Sequence, residues 1–510
     1  MRLKKVTIKN FRGYREEIQV DFDDLTTFVG KNDIGKSSIL EALDIFFNNG
    51  NGTVKMDKDD INKLAVSAED KDIIISACFE DLPSKIVIDA TNETELATEF
   101  LLNENGQLEI KKRYPNGGTA KVYIGAIHPT NSACNNLLVK TNRDLQKIID
   151  DNNISCADKT KNAVMRQAIW KHYETDLQLE KVEIDVTKGE TKSIWDKLQS
   201  YLPVYSLFQS DRKNTDGDSE VQDPLKEAVK QILNDDKLTN ELADVAKEVE
   251  LKLKEVAERT LAKLREMSPE TANSLYPVIP SANSLKWVDV FKNVSISGDE
   301  GIPINKRGSG VKRLILLNFF RAEAERRIEN IENASIIYAI EEPETSQHTD
   351  NQKKLIDAFL QLASASNTQV IITTHSPNIV KKLDFSNLRL IINSNTGKRV
   401  DTVLPGQLPY PSLNEVNYLA FAEITEEYHN ELYGYIEAEG LLDAYKNGKS
   451  TVNYIKKKKN GNTSQENITM TEYIRHQIHH PENNLNPHFS ESELSDSIQA
   501  MREFIQNIDE

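Results

Sequence analysis

Alternation of apolar and polar positions opens the chain. Val6-Thr7-Ile8 and Ile18-Gln19-Val20-Asp21-Phe22 show the two-residue period of half-buried strands, and Ile73 to Phe79 makes another. Leu25 to Val29 reads as a short strand, and Ser37 to Phe47 carries apolar residues at helical spacing. Residues 1–84 therefore predict one α/β lobe. Residues 85–221 are mixed and polar, with turn signals at Asn103 to Gln107, Tyr114 to Gly118 and Asp150 to Asn153, and read as an insertion or lobe of unassigned role. From Gln222 to Met267 the apolar residues Leu238, Leu242, Val245, Val249, Leu253, Val256 and Leu264 recur mostly in steps of three and four. That spacing predicts amphipathic helix within 222–285, packed on its own domain or projecting between subunits as an arm. Strands alternating with helices return over 286–405. Pro405, Gly406, Pro409 and Pro411 then mark a boundary, and 414–510 reads as mainly α, with a long helix from Asn417 to Leu442 and a polar break from Lys456 to Asn467. The expected architecture is an α/β P-loop head with a helical arm, followed by a mainly α C-terminal domain.

Composition sets limits on this outline. The chain has 510 residues, which at roughly 150 per domain predicts about three domains. Lys and Arg number 63 against 80 Asp and Glu, a formal charge of −17 that opposes wholesale coating of nucleic acid while leaving room for a local basic patch. Cys78, Cys134 and Cys156 stand in no metal-ligand or CxxC spacing, which suits a reducing cytosol and no zinc. The N-terminal residues lack the continuous apolar core of a signal peptide, and no run approaches the ~18 apolar residues that span a bilayer. A cytoplasmic protein without membrane association is expected.

The strongest chemical signal is Gly30-Lys31-Asn32-Asp33-Ile34-Gly35-Lys36-Ser37, with Ser38 following: a G-x-x-x-x-G-K-[ST] loop between a strand and a helix. Loop amides and the helix N-terminus converge there on phosphate. Lys36 is placed to reach the β and γ phosphates of ATP, and Ser37 to ligate Mg²⁺. Three hundred residues later Ser335-Ile-Ile-Tyr-Ala-Ile-Glu341-Glu342-Pro-Glu344 delivers carboxylates at the end of an apolar strand. Glu341 suits the Mg²⁺ shell, and Glu342 the polarisation of the attacking water. Arg307-Gly-Ser309-Gly310-Val-Lys-Arg313 opens an apolar helix, a second glycine-rich anion site.

The order Asn10-Phe-Arg-Gly13, GKNDIGKSS, GSGVKR, IIYAIEEPE and TTHSP resembles the SMC, RecF and OLD branch of ABC ATPases over residues 1–85 and 286–400. The resemblance implies a head-to-tail homodimer, or a higher homo-oligomer, that sandwiches two ATP molecules. It further implies that Ser309 and Gly310 act in trans, that Arg12 lies near the nucleotide, that His375 is the switch histidine at the γ-phosphate, and that Gln209 is a Mg²⁺-sensing glutamine. The arm is far too short for a chromosome-tethering SMC coiled coil, and the signature element is abbreviated. A Toprim nuclease domain of the OLD kind is disfavoured, because no Asp-x-Asp pair follows His375.

Five of the nine histidines, His429, His476, His479, His480 and His488, fall beyond residue 414. Arg475 and His480 fit the R-x4-H spacing of the HEPN fold, which this segment resembles and which cleaves RNA without metal. His479, one helical turn from Arg475, is the alternative partner. Glu423, Glu427, His429 and Asn430 lie where auxiliary HEPN groups usually stand. The blander alternative is a helix end whose His and Arg complement the dipole before Pro481. Lys456 to Lys459 reads as a solvated loop or as an RNA-backbone contact. An ATPase fused to HEPN resembles bacterial anticodon nucleases, which implies an ATP-gated anti-phage RNase with tRNA as the expected target. The alternatives are a scaffold that restrains a separate nuclease, as in the Septu and PARIS ATPases, and RecF-like DNA repair. The implied trigger is phage DNA or protein.

Overall fold

The structure, a computed structural model, describes residues 1–49, 52–88, 93–187, 190–209, 236–267, 335–345, 349–394, 397–403, 412–457 and 462–508. Residues 1–210 with 331–510 form one compact unit, and 211–330 another.

In the first unit the early alternation becomes an antiparallel sheet. β1 (Arg2–Lys9) lies between β2 (Ile18–Asp21) and β4 (Asp72–Glu80), while β3 (Leu25–Val29) departs to a second sheet. After a two-residue pair, β5 (Ile86–Val87) with β6 (Glu93–Thr94), the antiparallel sheet continues through β7 (Leu108–Pro115), β8 (Lys121–Pro129) and β9 (Leu179–Asp185), in the order β2-β1-β4-β7-β8-β9. The expected division at residue 84 is therefore not a structural boundary. β7 pairs directly with β4, Ile73 opposite Tyr114 and Ala77 opposite Ile110. Half of the sheet was hidden in the sequence by its exposed face: Lys, Arg and Glu alternate with Leu108, Ile110 and Tyr114, which diluted the strand signal.

The second sheet has the order β10-β11-β12-β3-β13-β14, from β10 (Val204–Phe208), β11 (Ile336–Glu341), β12 (Thr368–Thr374), β13 (Leu388–Ser394) and β14 (Gly397–Thr402). All pairings are parallel except β13 with β14. β3 is buried along its whole length, as are residues 336–340 of β11, because a parallel sheet is covered on both faces. The helix α1 (Lys36–Asn48) follows β3 and buries Ile39, Leu40, Leu43 and Phe46 in a core shared with Val6, Phe28, Ile75, Ile110, Ile337 and Ile371. Its C-terminal carbonyl at Phe46 accepts a 2.6 Å bond from Lys112 Nζ, which also donates to Asn49. Burial brings the Lys112 ammonium down to about 7. A cation at this end of α1 complements the helix dipole.

Beyond residue 412 the expected mainly α segment proves to be α with a β-hairpin. β15 (Thr451–Lys457) pairs antiparallel with β16 (Thr463–Thr469) across the polar stretch expected as a break. The hairpin is mostly solvent-facing, with Tyr454 buried, so few apolar residues announced it. The single helix expected from Asn417 to Leu442 is instead Leu413–Phe421 and Glu426–Ala438. Ala422 takes a left-handed backbone (φ 55°) and Thr425 caps the second helix, which ends the first. Two further helices, Met470–His479 and Glu491–Gln506, close a small core of Tyr428, Leu432, Ile436, Ile474, Ile498 and Met501. The Pro405 to Pro411 boundary lies outside the described residues.

In the second unit the amphipathic spacing is realised as one 32-residue helix, Asp236–Met267, with exposed Val245, Val249, Leu253 and Val256. Among the described residues no helix is long and apolar enough to cross a membrane.

Candidate active site

The carboxyl ends of the parallel strands converge, where open α/β sheets bind ligands. β3 delivers the loop 30–37, β11 delivers Glu341 and Glu342, β12 delivers His375, and β10 delivers Gln209. β12 separates the loop strand from the carboxylate strand, so residues remote in sequence surround one crevice.

The loop turns on glycines with positive φ, 154° at Gly30 and 113° at Gly35. A Cβ at Gly30 would stand 3.0 Å from Ile391 O, and one at Gly35 2.9 Å from the Tyr14 hydroxyl, so neither position accepts a side chain easily. Lys36 is buried, its Nζ donating to Gly30 O (2.8 Å) and Lys31 O (3.0 Å). Burial lowers its ammonium below the ordinary lysine range, with Glu342, Glu344, Asp33 and Glu341 opposing. Gly35 caps α1 without a side-chain acceptor, leaving the first-turn amides for an anion. Asn32 is exposed at the loop tip and Ser38 half-buried in the first helical turn.

Ser37 Oγ donates to Glu341 Oε1 across the sheet. A hydroxyl and a carboxylate facing one another are oxygen donors of the kind a hard divalent cation takes, so the pair fits Mg²⁺. Glu342 has a left-handed backbone (φ 40°), held by its N–H donating to Thr373 O at 3.1 Å. His375 Nδ1 lies 3.3 Å from Glu342 and 3.4 Å from Glu344. Glu344, the last carboxylate of the same motif and given no role by it, belongs to the site as well: buried, it accepts from Thr374 Oγ1 (2.7 Å) and His375 N (2.9 Å), fixing the histidine's backbone.

Arg12 and Gln209 meet on another residue that the motifs did not single out, Glu41 of α1. Arg12 binds Glu41 and Asp60, the latter at 2.8 Å, and Gln209 Nε2 donates to Glu41 at 2.8 Å. Glu41 stands one turn beyond Ser37 on the loop helix with its side chain largely covered, and only the fold brings it to them. Ser309 and Gly310 lie outside the described residues.

The C-terminal candidates are not brought together within the chain. Arg475 places its guanidinium 4.2 Å over the Tyr433 ring and 3.3 Å from Glu437, against the helix Glu426–Ala438. His480 is the exposed cap residue of its helix; its ring lies 6.4 Å from that of His476, with Nδ1 3.3 Å from Glu482. Five residues of helix turn side chains well apart, so these two occupy different faces. His476 stacks on Tyr454 of β15, 5.1 Å between rings. Of the proposed auxiliary groups, His429 is a core residue bonded to Ser497 Oγ at 3.0 Å, and burial, with Arg475 adding, pushes its imidazole down to about 4.

Residues 1–380 match the family model described as "AAA ATPase domain". Over 411 residues the chain is 22% identical to "Endonuclease GajA" of Bacillus cereus (strain VD045); the match covers 78% of this chain and 59% of that protein, so the chain spans about three fifths of the length of this relative. Among solved structures, the SMC head bound to the C-terminal winged-helix domain of ScpA is 14% identical, covering 79% of this chain and 97% of its own, with a TM-score of 0.35. The SMC head domain from Thermotoga maritima is 13% identical, covering 79% and 100%, with a TM-score of 0.33.

Proposed function

The chain belongs to the AAA ATPase domain family, and from that premise we propose that it is an ATP-gated dimer of the SMC and OLD kind, acting in anti-phage defence, whose nucleotide state controls a nuclease. Bound ATP supplies the γ-phosphoryl group and Mg²⁺ the charge that offsets its oxygens. The chain's own residues do the rest: Lys36 and the loop amides hold the phosphates, Ser37 and Glu341 hold the cation, Glu342 orients and deprotonates water, and His375 reports the γ-phosphate to what lies behind it. Dimerisation brings Ser309 and Gly310 of one protomer over the nucleotide of the other.

One observation supports the control of something beyond the head. Asn417 Nδ2 reaches Pro377 O at 3.5 Å, tying the short helix Pro377–Val380, which follows His375, to the helix Leu413–Phe421. Two residues earlier Glu415 is fully buried and accepts from Arg502 at 2.6 Å, and burial lifts its carboxyl above the ordinary range against the pull of Arg502. A shift at His375 therefore has a packed route into the C-terminal segment. Limited proteolysis tests it: ATP should change the cleavage pattern within 412–508, and Asn417→Ala should abolish that change while ATP is still hydrolysed. A wild-type pattern indifferent to ATP removes the gating reading.

The effector fits best as a separate nuclease polypeptide, because Arg475 is held by Tyr433 and Glu437 on a different face from His480. A second reading, in which the segment 414–510 is itself a metal-independent RNase, draws on the exposure of His480 beside His476 and on Lys456 nearby, groups that suit proton transfer and phosphate attraction.

A further inference from the structure

The hairpin of β13 and β14 does more than end the parallel sheet. β13 pairs with β3 only through Leu388 to Leu390, then runs on past the phosphate loop, with Ile391 O against Gly30. β14 returns antiparallel, placing Lys398 opposite Asn393, and Ser394 Oγ ties the turn to Gly397 O at 2.7 Å. The distal half of the hairpin is thus a wall of the crevice.

Lys398 projects from that wall onto the loop. Its Nζ donates to Asp33 O at 3.4 Å, a long bond that engages one of three N–H groups, and among the described residues it forms no ion pair. The nitrogen lies 5.9 Å from the centroid of the Tyr14 ring, whose hydroxyl donates to Gly35 O at 3.1 Å. The stem crosses Gly13, where a Cβ would stand 2.7 Å from Nζ and 3.0 Å from Cε. A Cβ at Gly35 would likewise lie 3.3 Å from Nζ. Two glycines of the nucleotide motifs therefore leave the space that this ammonium fills.

We infer that Lys398 is a second nucleotide-binding lysine, which donates to the phosphate chain of ATP alongside Lys36. Partial burial lowers its ammonium, with Asp33 opposing, so a phosphate oxygen there would recover charge stabilisation that solvent no longer supplies. Cradle amides fix the phosphates by geometry; a lysine on a four-carbon stem adds a point charge that follows them. The inference rests on the ATP-binding reading of the loop.

Calorimetric titration of the full chain with ADP and with the non-hydrolysable analogue AMP-PNP tests it. Lys398→Met should weaken both by about tenfold, the scale of one charge-assisted hydrogen bond, and Lys398→Arg should restore most of the loss. In steady state KM should rise by a similar factor while kcat falls by less than about threefold, the signature of uniform binding. Gly13→Ala, which pushes the ammonium aside, should weaken binding too and add little to Lys398→Met in the double variant. Affinities of Lys398→Met within about twofold of wild type would overturn the proposal. So would a loss that Lys398→Arg fails to restore and that accompanies a lower unfolding temperature without nucleotide, because the lysine would then only brace the loop. Lys36→Ala is the control: if it too leaves affinity intact, the loop is not the nucleotide site and both readings fail together.

Discussion

His375 Nδ1 stands 3.3 Å from Glu342 Oε1, and Glu344 Oε1 lies 3.4 Å from the same nitrogen. Adjacent parallel strands β11 and β12 produce this contact, and the left-handed backbone at Glu342 turns its carboxylate toward the crevice. A non-glycine residue with positive φ costs on the order of 1 kcal/mol and persists where the surroundings hold it. Here Thr373 does so, accepting from the Glu342 N–H. Glu342→Gln keeps size and hydrogen bonding but cannot take a proton. ATP turnover should fall by ~10² or more while ATP remains bound and dimer accumulates. Steady-state hydrolysis with sedimentation in ATP measures both; unchanged turnover would remove Glu342 from the role of base.

The Ser37 to Glu341 contact makes a different prediction. If these oxygens hold Mg²⁺, Ser37→Ala and Glu341→Gln should weaken ATP binding by about tenfold in Mg²⁺ and much less in chelator. Titration of fluorescent ATP under the two conditions gives the ratio, and an equal loss in both would mean that the pair braces the sheet instead.

How far the sequence revealed this site follows from the range of the forces involved. The loop 30–37, Glu341, Glu342 and His375 each carry a local signal at a strand end, and the structure brings them around one crevice. The surroundings of Glu41 and Lys398 carry no such signal, because they depend on which strands lie side by side, and β3 takes neighbours from residues 368–374 and 388–390. The half-buried antiparallel strands beyond residue 85 were missed for lack of apolar contrast, and the hairpin 451–469 for the same reason. The Arg475 and His480 spacing was visible as a pattern, yet a five-residue step on a helix does not put two side chains on one face.

If Ser309 caps the nucleotide of the other protomer, as proposed, mixed chains should complement. Lys36→Ala and Ser309→Arg chains are each expected to be inactive alone, whereas their heterodimer retains one intact composite site beside one doubly broken. Mixing should therefore recover part of the ATPase rate. No recovery at any ratio, with heterodimer verified by native mass spectrometry, would contradict assembly in trans.

Buried His429 ties the stability of the C-terminal segment to pH. Its folded value of about 4 lies below the ordinary 6.5, so the unfolded chain binds a proton that the folded chain refuses between these values. Stability is then greatest above about 6.5 and falls as pH drops toward 4, by roughly 3 kcal/mol from this group. His429→Gln, which keeps a donor for Ser497 but does not titrate, should flatten the dependence of unfolding free energy on pH across that window. The same slope in both chains would show that the imidazole is protonated in the fold.

The last prediction decides between a nuclease in the chain and one beside it. If Arg475 and His480 cleave RNA, they must meet across a dimer interface, since within one chain Arg475 packs on Tyr433 and Glu437 while His480 faces His476 and Glu482. RNA incubated with the wild-type protein, ATP and phage lysate should then yield fragments ending in 2′,3′-cyclic phosphate, and chelator added after activation should not stop it, because imidazole and guanidinium chemistry needs no metal. Arg475→Ala would also release the Tyr433 ring and Glu437, so its loss of activity alone proves little. Arg475→Lys keeps the charge and the cation–π contact while removing the planar fork that suits a phosphorane. Cleavage lost in Arg475→Lys and in His480→Ala, with ATP hydrolysis near wild type, would establish the RNase. If His479→Ala is the silencing change and His480→Ala is not, the pair one helical turn apart carries the chemistry. If all of these variants retain full protection against phage while removal of a neighbouring nuclease gene abolishes it, Arg475 serves only to hold its helix on Tyr433 and Glu437. The ATPase then works on a nuclease held in trans.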